Sequence, residues 1–255
     1  MGGKRWTSKE KTMLRDMNIN GFNYVEIANK LGRTPASCRI MGNKLGLQGD
    51  RNIKENFFSL ETEEKYYILG YWLADGCIMK KSGGYYFSIV SNDKVHLENI
   101  ARTMGVKTKI YKNSNSAYEL RVGNKKLVQS LINIGGTYKK TKTMTINDIK
   151  FDRKYFYTVL RGFFDGDGGF QYQGYIKADG TRSVSSIVFT GSKLMIESIY
   201  QYLGYGTYYQ DSRGGDSFYL NFYGDEMRSL LNKMYQNSTI HLERKYKIYK
   251  QMLLR

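Results

Sequence analysis

The chain has 255 residues, 41% hydrophobic and 15% aromatic, a composition typical of a folded protein with room for more than one unit. Lysine and arginine exceed aspartate and glutamate by 40 to 23, so the formal net charge is +17 and a polyanionic partner is expected, nucleic acid before an acidic membrane surface. No apolar run has the length of a membrane span, and the start lacks the apolar core of a secretory signal. The two cysteines form neither a zinc pattern nor a disulfide pattern, so a reducing cytoplasm is the expected location.

Residues 1–50 predict three short helices. Thr7 and Glu10 have capping-box spacing, which predicts a first helix over 8–19. Thr34 followed by Pro35 is an N-cap with proline at the first helical position, and it predicts the start of a third helix. The second helix lies between them, and its expected apolar face consists of Val25, Ile27, Ala28 and Leu31.

Three short helices with a tight turn before the third describe a helix-turn-helix module, and this stretch also resembles the Myb-like domains. On that reading the basic third helix contacts DNA through Arg39, Asn43 and Lys44. A three-helix packing or oligomerisation module is the alternative. Residues 51–58 are expected to be a linker.

The rest of the chain is a duplication, with halves 59–150 and 151–255. Each half follows the order helix, strand, strand, helix, strand, strand, helix, and the segment 120–122 in the first half corresponds to 220–222 in the second. The fold class is therefore α+β: a duplicated αββαββα core with pseudo-twofold symmetry, preceded in the sequence by a small all-α domain of three helices. Alternating strands leave one face of each sheet uncovered, and simple solvent exposure is the alternative explanation for the polar side chains there. The candidate DNA contacts on these faces, or their sequence neighbours, are Tyr85, Lys107, Lys109, Arg121, Gln171, Gln173, Lys177, Arg182 and Tyr209.

The first helix of each half ends on an Asp-Gly pair, in "LGYWLADG" and "RGFFDGDG". Small residues four positions apart form a stripe through which two helices can pack closely, and the four are Gly70, Ala74, Gly162 and Gly166. Such packing would bring Asp75 and Asp167 together at helix C-termini, where the dipole and their mutual repulsion both disfavour negative charge. A divalent metal would resolve this conflict; a simple Asp-Gly helix stop is the alternative reading.

These two motifs, Ile68–Gly76 and Leu160–Gly168, resemble those of the LAGLIDADG homing endonucleases in their single-chain, two-motif form, and the layout matches over about residues 60–250. The resemblance implies that Asp75 and Asp167 bind the catalytic metals together with Gly76 and Gly168. Asp165 has Leu73 as its counterpart and is expected to be structural. The basic residues that the family places near each metal centre correspond best to Lys142 and Lys245, with Lys140 and Arg244 as the rival candidates.

The resemblance further implies a monomeric endonuclease that makes a staggered cut in a long, asymmetric duplex, in the service of intron or intein mobility. Its expected cofactor is Mg²⁺, with Mn²⁺ or Ca²⁺ as substitutes in binding. The alternative is a non-cleaving relative, either a maturase that binds intron RNA or a DNA-binding regulator; both acids needed for cleavage are present in this chain.

Overall fold

The protein is described here by a computed structural model. Its described residues form two compact units, one within Met1–Lys54 and Ala101–Lys109, the other within Glu55–Ile100 and Ile110–Arg255. The residues that the structure describes are 5–19, 22, 24–47, 55–81, 84–112, 116–174, 182–211 and 215–254.

The first unit, called the N-terminal unit below, has three helices within its Met1–Lys54 part: α1 (Ser8–Ile19), α2 (Tyr24–Leu31) and α3 (Pro35–Lys44). The predicted caps are present, since Thr7 and Glu10 exchange hydrogen bonds at the start of α1 and Thr34 accepts one from Ser37 at the start of α3. Val25, predicted on the apolar face of α2, is 54% exposed, because Tyr24 takes the inward position instead. The core of the unit is formed by Leu14, Tyr24, Ile27, Ala28 and Cys38, with Trp6 packed against it.

The duplicated halves follow in the predicted order, and apart from Ala101–Lys109 they lie in the second unit. The first half comprises α4 (Glu63–Asp75), β1 (Gly76–Lys81), β2 (Gly84–Ser91), α5 (Lys94–Thr103), β3 (Ile110–Lys112), β4 (Tyr118–Gly123) and α6 (Lys125–Asn133). Thr62 caps α4 by accepting a hydrogen bond from the Lys65 amide. The strand predicted to include Lys107 and Lys109 is shorter than expected, and both lysines precede it.

The second half repeats the pattern and adds a helix. It comprises α7 (Phe156–Asp167), β5 (Gly168–Tyr172), β6 (Val184–Gly191), α8 (Lys193–Leu203), β7 (Thr207–Gln210), β8 (Phe218–Tyr223), α9 (Gly224–Tyr235) and α10 (Glu243–Leu253). Asp152 caps a 3-10 turn at Arg153–Tyr155, and this turn leads into α7. The sequence pattern did not predict α10. The segment Ala178-Asp179-Gly180 is typical of a hairpin turn and lies outside the described residues.

Each half has a four-stranded antiparallel sheet, with strand orders β1-β2-β4-β3 and β5-β6-β8-β7. One face of each sheet is apolar and buried, with Phe87 and Leu120 on the first and Phe189 and Leu220 on the second. The opposite face of each sheet, called the open face below, carries the alternate residues of each strand, as the pleat requires. None of the described helices has both the length and the apolar character needed to cross a membrane.

A buried arginine ties the helices of the two halves together. Arg161 on α7 is 3% exposed; its Nη1 donates to the Met234 carbonyl oxygen at 2.6 Å and its Nη2 to Glu63 Oε1 at 2.5 Å. Glu63 lies in the first turn of α4, where the helix dipole also favours a carboxylate. This ion pair therefore fixes the N-terminal end of α4 against α7, at the opposite end from the two Asp-Gly pairs.

Candidate active site at two helix ends

Helices α4 and α7 pack with their backbones in contact. A Cβ atom on Gly70 would lie 2.0 Å from the Val159 carbonyl oxygen, and one on Gly162 would lie 2.1 Å from the Tyr67 carbonyl oxygen. Near the C-terminal ends, a Cβ on Gly166 would lie 2.4 Å from that of Ala74. All four residues of the small-residue stripe therefore lie in the helix interface, and the glycines are required there by space.

This packing brings the two aspartates together. Asp75 ends α4 and Asp167 ends α7, and the glycine after each one begins the first strand of its sheet. The position of a Cβ on Gly166 is only 3.4 Å from Asp75 Oδ2. Burial raises the pKa of Asp75, and burial together with the neighbouring Asp75 raises the pKa of Asp167 to about 6. The two carboxylates thus form one electrostatically coupled pair.

Two lysines neutralise the helix ends. Lys140 Nζ donates to the carbonyl oxygens of Leu73 at 2.6 Å and Ala74 at 2.9 Å, at the C-terminal end of α4. Lys245 Nζ does the same for α7, where it donates to backbone carbonyls that include that of Asp165 at 3.1 Å. Positive charge at a helix C-terminus is favourable, so these ammonium groups offset the placement of the aspartates. Burial lowers the pKa of both lysines, that of Lys245 to about 8.

The structure places Lys140, and not Lys142, at the C-terminal end of α4. Lys142 is exposed and forms an ion pair with Asp216 at 2.5 Å, so it does not contact the helix end. Lys140, two residues earlier, is the counterpart of Lys245. Arg244, the other rival candidate, pairs with Asp93 at 3.0 Å.

The motif glycines have a steric role. A Cβ on Gly76 would lie 2.0 Å from the Trp72 ring, and one on Gly168 would lie 2.1 Å from the Phe164 ring. The carbonyl oxygen of Gly168, proposed from the resemblance as a metal ligand, accepts a hydrogen bond from Lys245 Nζ at 2.6 Å. Close approach of the ring to the backbone therefore accounts for glycine at both positions.

Asp165 is fully buried and both of its carboxylate oxygens have partners. Oδ1 accepts from the Tyr235 hydroxyl at 2.5 Å, and Oδ2 accepts from the Tyr67 hydroxyl and the Leu242 amide, each at 2.7 Å. Burial raises the pKa of the carboxyl group. These contacts agree with the expectation that Asp165 is structural, because it joins α7 to α4, to α9 and to the start of α10.

The sequence pattern did not identify the partners of Asp165. The Tyr67 hydroxyl also lies 2.9 Å from His96 Nε2. Tyr67 has a single hydroxyl proton, which goes to Asp165, so His96 Nε2 must carry a proton and donate to Tyr67. Burial lowers the pKa of His96 to about 4, which keeps the ring neutral. An acid inside an apolar motif was the only signal in the sequence for this network.

The candidate DNA contacts of the sheets are placed unevenly. Tyr85 was predicted on an open face, and this is wrong: it shares the core face of β2 with Phe87, and its neighbour Tyr86 has the open-face position. Arg121, Gln171 and Tyr209 do lie on the open faces. Among the other candidates, Gln173 follows β5, Arg182 precedes β6, Lys107 and Lys109 precede β3, and Lys177 lies outside the described residues.

Arg39, Asn43 and Lys44 are all exposed along α3 of the N-terminal unit. Ile40 on the same helix is 58% exposed. The side of α3 with Cys38 and Gly42 is buried against the other two helices. The basic side of α3 is therefore available to a partner.

The comparisons with known proteins agree with this geometry. Residues 62–135 match the model of the LAGLIDADG-like domain. A mutant of I-SmaMI superposes with a TM-score of 0.55 at 16% identity, over 74% of this chain and 90% of that one. I-LtrWI, described as a LAGLIDADG homing endonuclease bound to target DNA, superposes with a TM-score of 0.54 at 18% identity, over 75% and 89%. The fold is that of the LAGLIDADG homing endonucleases. No curated protein matches the sequence.

A third similar structure within this LAGLIDADG fold is I-SmaMI bound to uncleaved DNA in the presence of calcium ions, with a TM-score of 0.52 at 16% identity, over 74% and 90%. In the present chain the donors at the helix ends are carboxylate oxygens, the ligands that Mg²⁺ and Ca²⁺ prefer. The described residues contain no group of three or more His, Cys, Asp or Glu side chains that could hold a metal ion without other ligands. The pair therefore fits a hard cation that completes its shell with water and phosphate oxygens.

Proposed function

We propose that the protein is a site-specific endonuclease that hydrolyses one phosphodiester bond in each strand of a DNA duplex, with Mg²⁺ as its metal. The observation that carries the proposal is the pairing of Asp75 and Asp167 at two abutting helix ends, each leading directly into a sheet. The DNA-bound state of the similar structures supports DNA as the substrate. A net charge of +17 is suited to a polyanion of this kind.

Asp75 and Asp167 would hold the metal, which lowers the pKa of a bound water and neutralises charge on the phosphate when it is present. The chain's own residues prepare that position. Lys140 and Lys245 add positive charge beside the carboxylates and thereby favour their ionised form. Both ammonium groups donate to backbone carbonyl oxygens, which fixes their positions and leaves the carboxylate oxygens available as metal ligands.

The two halves are similar in layout and different in detail, which supports an asymmetric target and a single chain as the active species. Arg121 on the open face of the first sheet corresponds to Asn221 on the second. One acid in each half would act on one DNA strand, and the two centres together would make a staggered cut. The N-terminal unit would act as a helix-turn-helix that lengthens the contacted sequence, through Arg39, Asn43 and Lys44.

The test is cleavage of a plasmid that carries the uninterrupted sequence flanking the gene, with Mg²⁺ and with EDTA. We expect a double-strand cut only with Mg²⁺. Asp75→Asn and Asp167→Asn should each abolish it while duplex affinity stays within about threefold, because the substitutions remove charge at the site and leave the sheets intact. Asp225→Asn, an exposed acid at the start of α9, is the matched control and should cut normally.

Full double-strand cleavage by Asp75→Asn would overturn the assignment of that residue. Cleavage that persists in EDTA would overturn the metal requirement. Binding without cleavage by the unaltered protein would favour the regulator among the alternatives.

A further inference from the structure

The open face of the second sheet has an unusual composition for a surface of so basic a protein. Every residue that the strand register places on it, within the part of the chain that the structure describes, is uncharged. The first sheet differs, because Glu119 and Arg121 lie on its open face and form an ion pair at 2.8 Å. The open face of the second sheet consists of Gly169, Gln171, Ser186, Val188, Thr190, Thr207, Tyr209, Tyr219, Asn221 and Tyr223.

Asn221 organises the centre of this face. It is 2% exposed, and its Nδ2 donates to the Tyr209 hydroxyl at 3.2 Å and to the Tyr223 hydroxyl at 3.0 Å. Its Oδ1 is buried without a hydrogen-bond partner. Turning the amide over would instead leave two N–H donors buried without an acceptor, so the orientation with Nδ2 toward the hydroxyls is the better one.

A phenol oxygen that accepts a hydrogen bond keeps its own proton for donation elsewhere. Tyr209 and Tyr223 are 40% and 48% exposed, so each free hydroxyl proton belongs to a side chain that a partner can reach. The Tyr209 ring is further held by stacking on Tyr219, with ring centroids 5.3 Å apart. The Tyr219 hydroxyl is turned away, since it donates to Asp211 at 3.0 Å.

Gln171 adds a third donor on the same face. Its side-chain oxygen accepts from the Ser186 hydroxyl at 2.6 Å, which directs its exposed amide nitrogen outward. Within the described residues, the strand positions on this face thus present fixed, neutral donors and no cation. Neutral donors on a rigid sheet contribute little to phosphate attraction, which depends on charge, and are suited to reading the edges of bases.

We propose that Tyr209 and Tyr223, oriented by Asn221, read base edges in the major groove of one half of the target. This inference rests on the proposed function and names the residues that determine specificity within it. Hydroxyl donors favour bases that present acceptors, namely guanine, adenine at N7 and thymine at O4, over cytosine, which presents its amino donor. Two positions on the contacted strand should therefore disfavour cytosine by a factor of about five to ten.

The test is selection from a randomised duplex library by the full chain carrying Asp167→Asn, which prevents cutting, followed by sequencing of the bound pool. Tyr223→Phe and Tyr209→Phe keep each ring and remove the hydroxyl. Each should relax the preference at its own position by about five- to tenfold, and the dependence of affinity on salt should not change. Asn221→Leu should relax both positions together. Tyr219→Phe, whose hydroxyl faces Asp211, is the matched control and should leave the profile unchanged.

Failure of the two proposals would look different. If the parent protein selects no sequence, the proposed function fails. If the parent selects a sequence and both Tyr→Phe variants keep its profile, this inference fails and the endonuclease assignment stands. A uniform loss of affinity with a shallower salt slope would place the tyrosines on phosphates, and would also overturn the inference. Thermal unfolding of each variant verifies that it is folded.

Discussion

Replacing Gly70 by alanine tests the helix interface on which the candidate site depends. In an exposed helix the change would stabilise the protein by about 1 kcal/mol, since alanine is the better helix former. In this interface the new Cβ would lie 2.0 Å from the Val159 carbonyl oxygen and 3.0 Å from the Phe163 amide nitrogen. The two effects have opposite signs, so the sign of the result decides whether the backbones are in contact.

The contact with Val159 is about 1 Å shorter than the 3.0 Å that real Cβ contacts respect. Its partner is backbone, so no side-chain rotation can relieve it and the helices must separate. Overpacking of a core commonly destabilises by about 1–3 kcal/mol, and a gap of 0.5–1 Å forfeits a quarter to a half of each dispersion contact along the interface. Because the backbone cannot rotate away, we take the upper end of that range and subtract about 1 kcal/mol for the gain in helix propensity. We therefore expect the free energy of unfolding to fall by about 2 kcal/mol, which lowers Tm by roughly 4–8 °C.

The assay is urea and thermal unfolding followed by the fluorescence of Trp72, which is fully buried on α4. A Trp6→Phe background removes the only other tryptophan, so the signal reports on the second unit alone. Gly174→Ala, where a Cβ would meet nothing within 4 Å, is the control and should change stability by less than about 0.5 kcal/mol. A Gly70→Ala protein as stable as its parent, or more stable, would refute the close packing of α4 on α7.

Three further predictions concern charged and titratable groups. Lys140→Met should slow cleavage by at least about tenfold and Lys142→Met by less than about twofold, since only Lys140 contacts the helix end; equal rates in a single-turnover assay would contradict this. Burial lowers the pKa of His96 from 6.5 to about 4, so the stability that neutral His96 contributes is complete above pH 6.5 and is lost as the pH falls toward 4. Urea unfolding should show a loss of about 3 kcal/mol over this range, and His96→Gln should weaken this dependence of the unfolding free energy on pH. Asp165→Asn replaces one accepting oxygen by an NH₂ group that faces other hydrogen-bond donors, so the unfolding free energy should fall by about 2–4 kcal/mol. An unchanged urea midpoint would contradict the hydrogen-bond network around Asp165.

Local chemistry alone was enough to predict much of the architecture. Thr7 and Thr34 are hydroxyl residues placed where a helix must begin, and each does cap its helix. The order of helices and strands in both halves follows from hydrophobic periodicity, and the Asp-Gly motifs identify the two helices that pack together. These features depend on neighbours within a few residues, which is the range over which a sequence pattern carries information.

Only the tertiary structure decided which side chains reach the site. Lys140 and Lys142 stand in nearly identical sequence surroundings, and the choice between them depends on where a loop lies against the end of α4, 66 residues earlier in the chain. Tyr85 and Tyr86 differ by one residue, and a one-residue difference in register exchanges the two faces of a strand. Asp165 meets Tyr67 and Tyr235, which are 98 and 70 residues away, because three helices converge there. Contacts over such distances are set by packing, and no local pattern in the sequence specifies them.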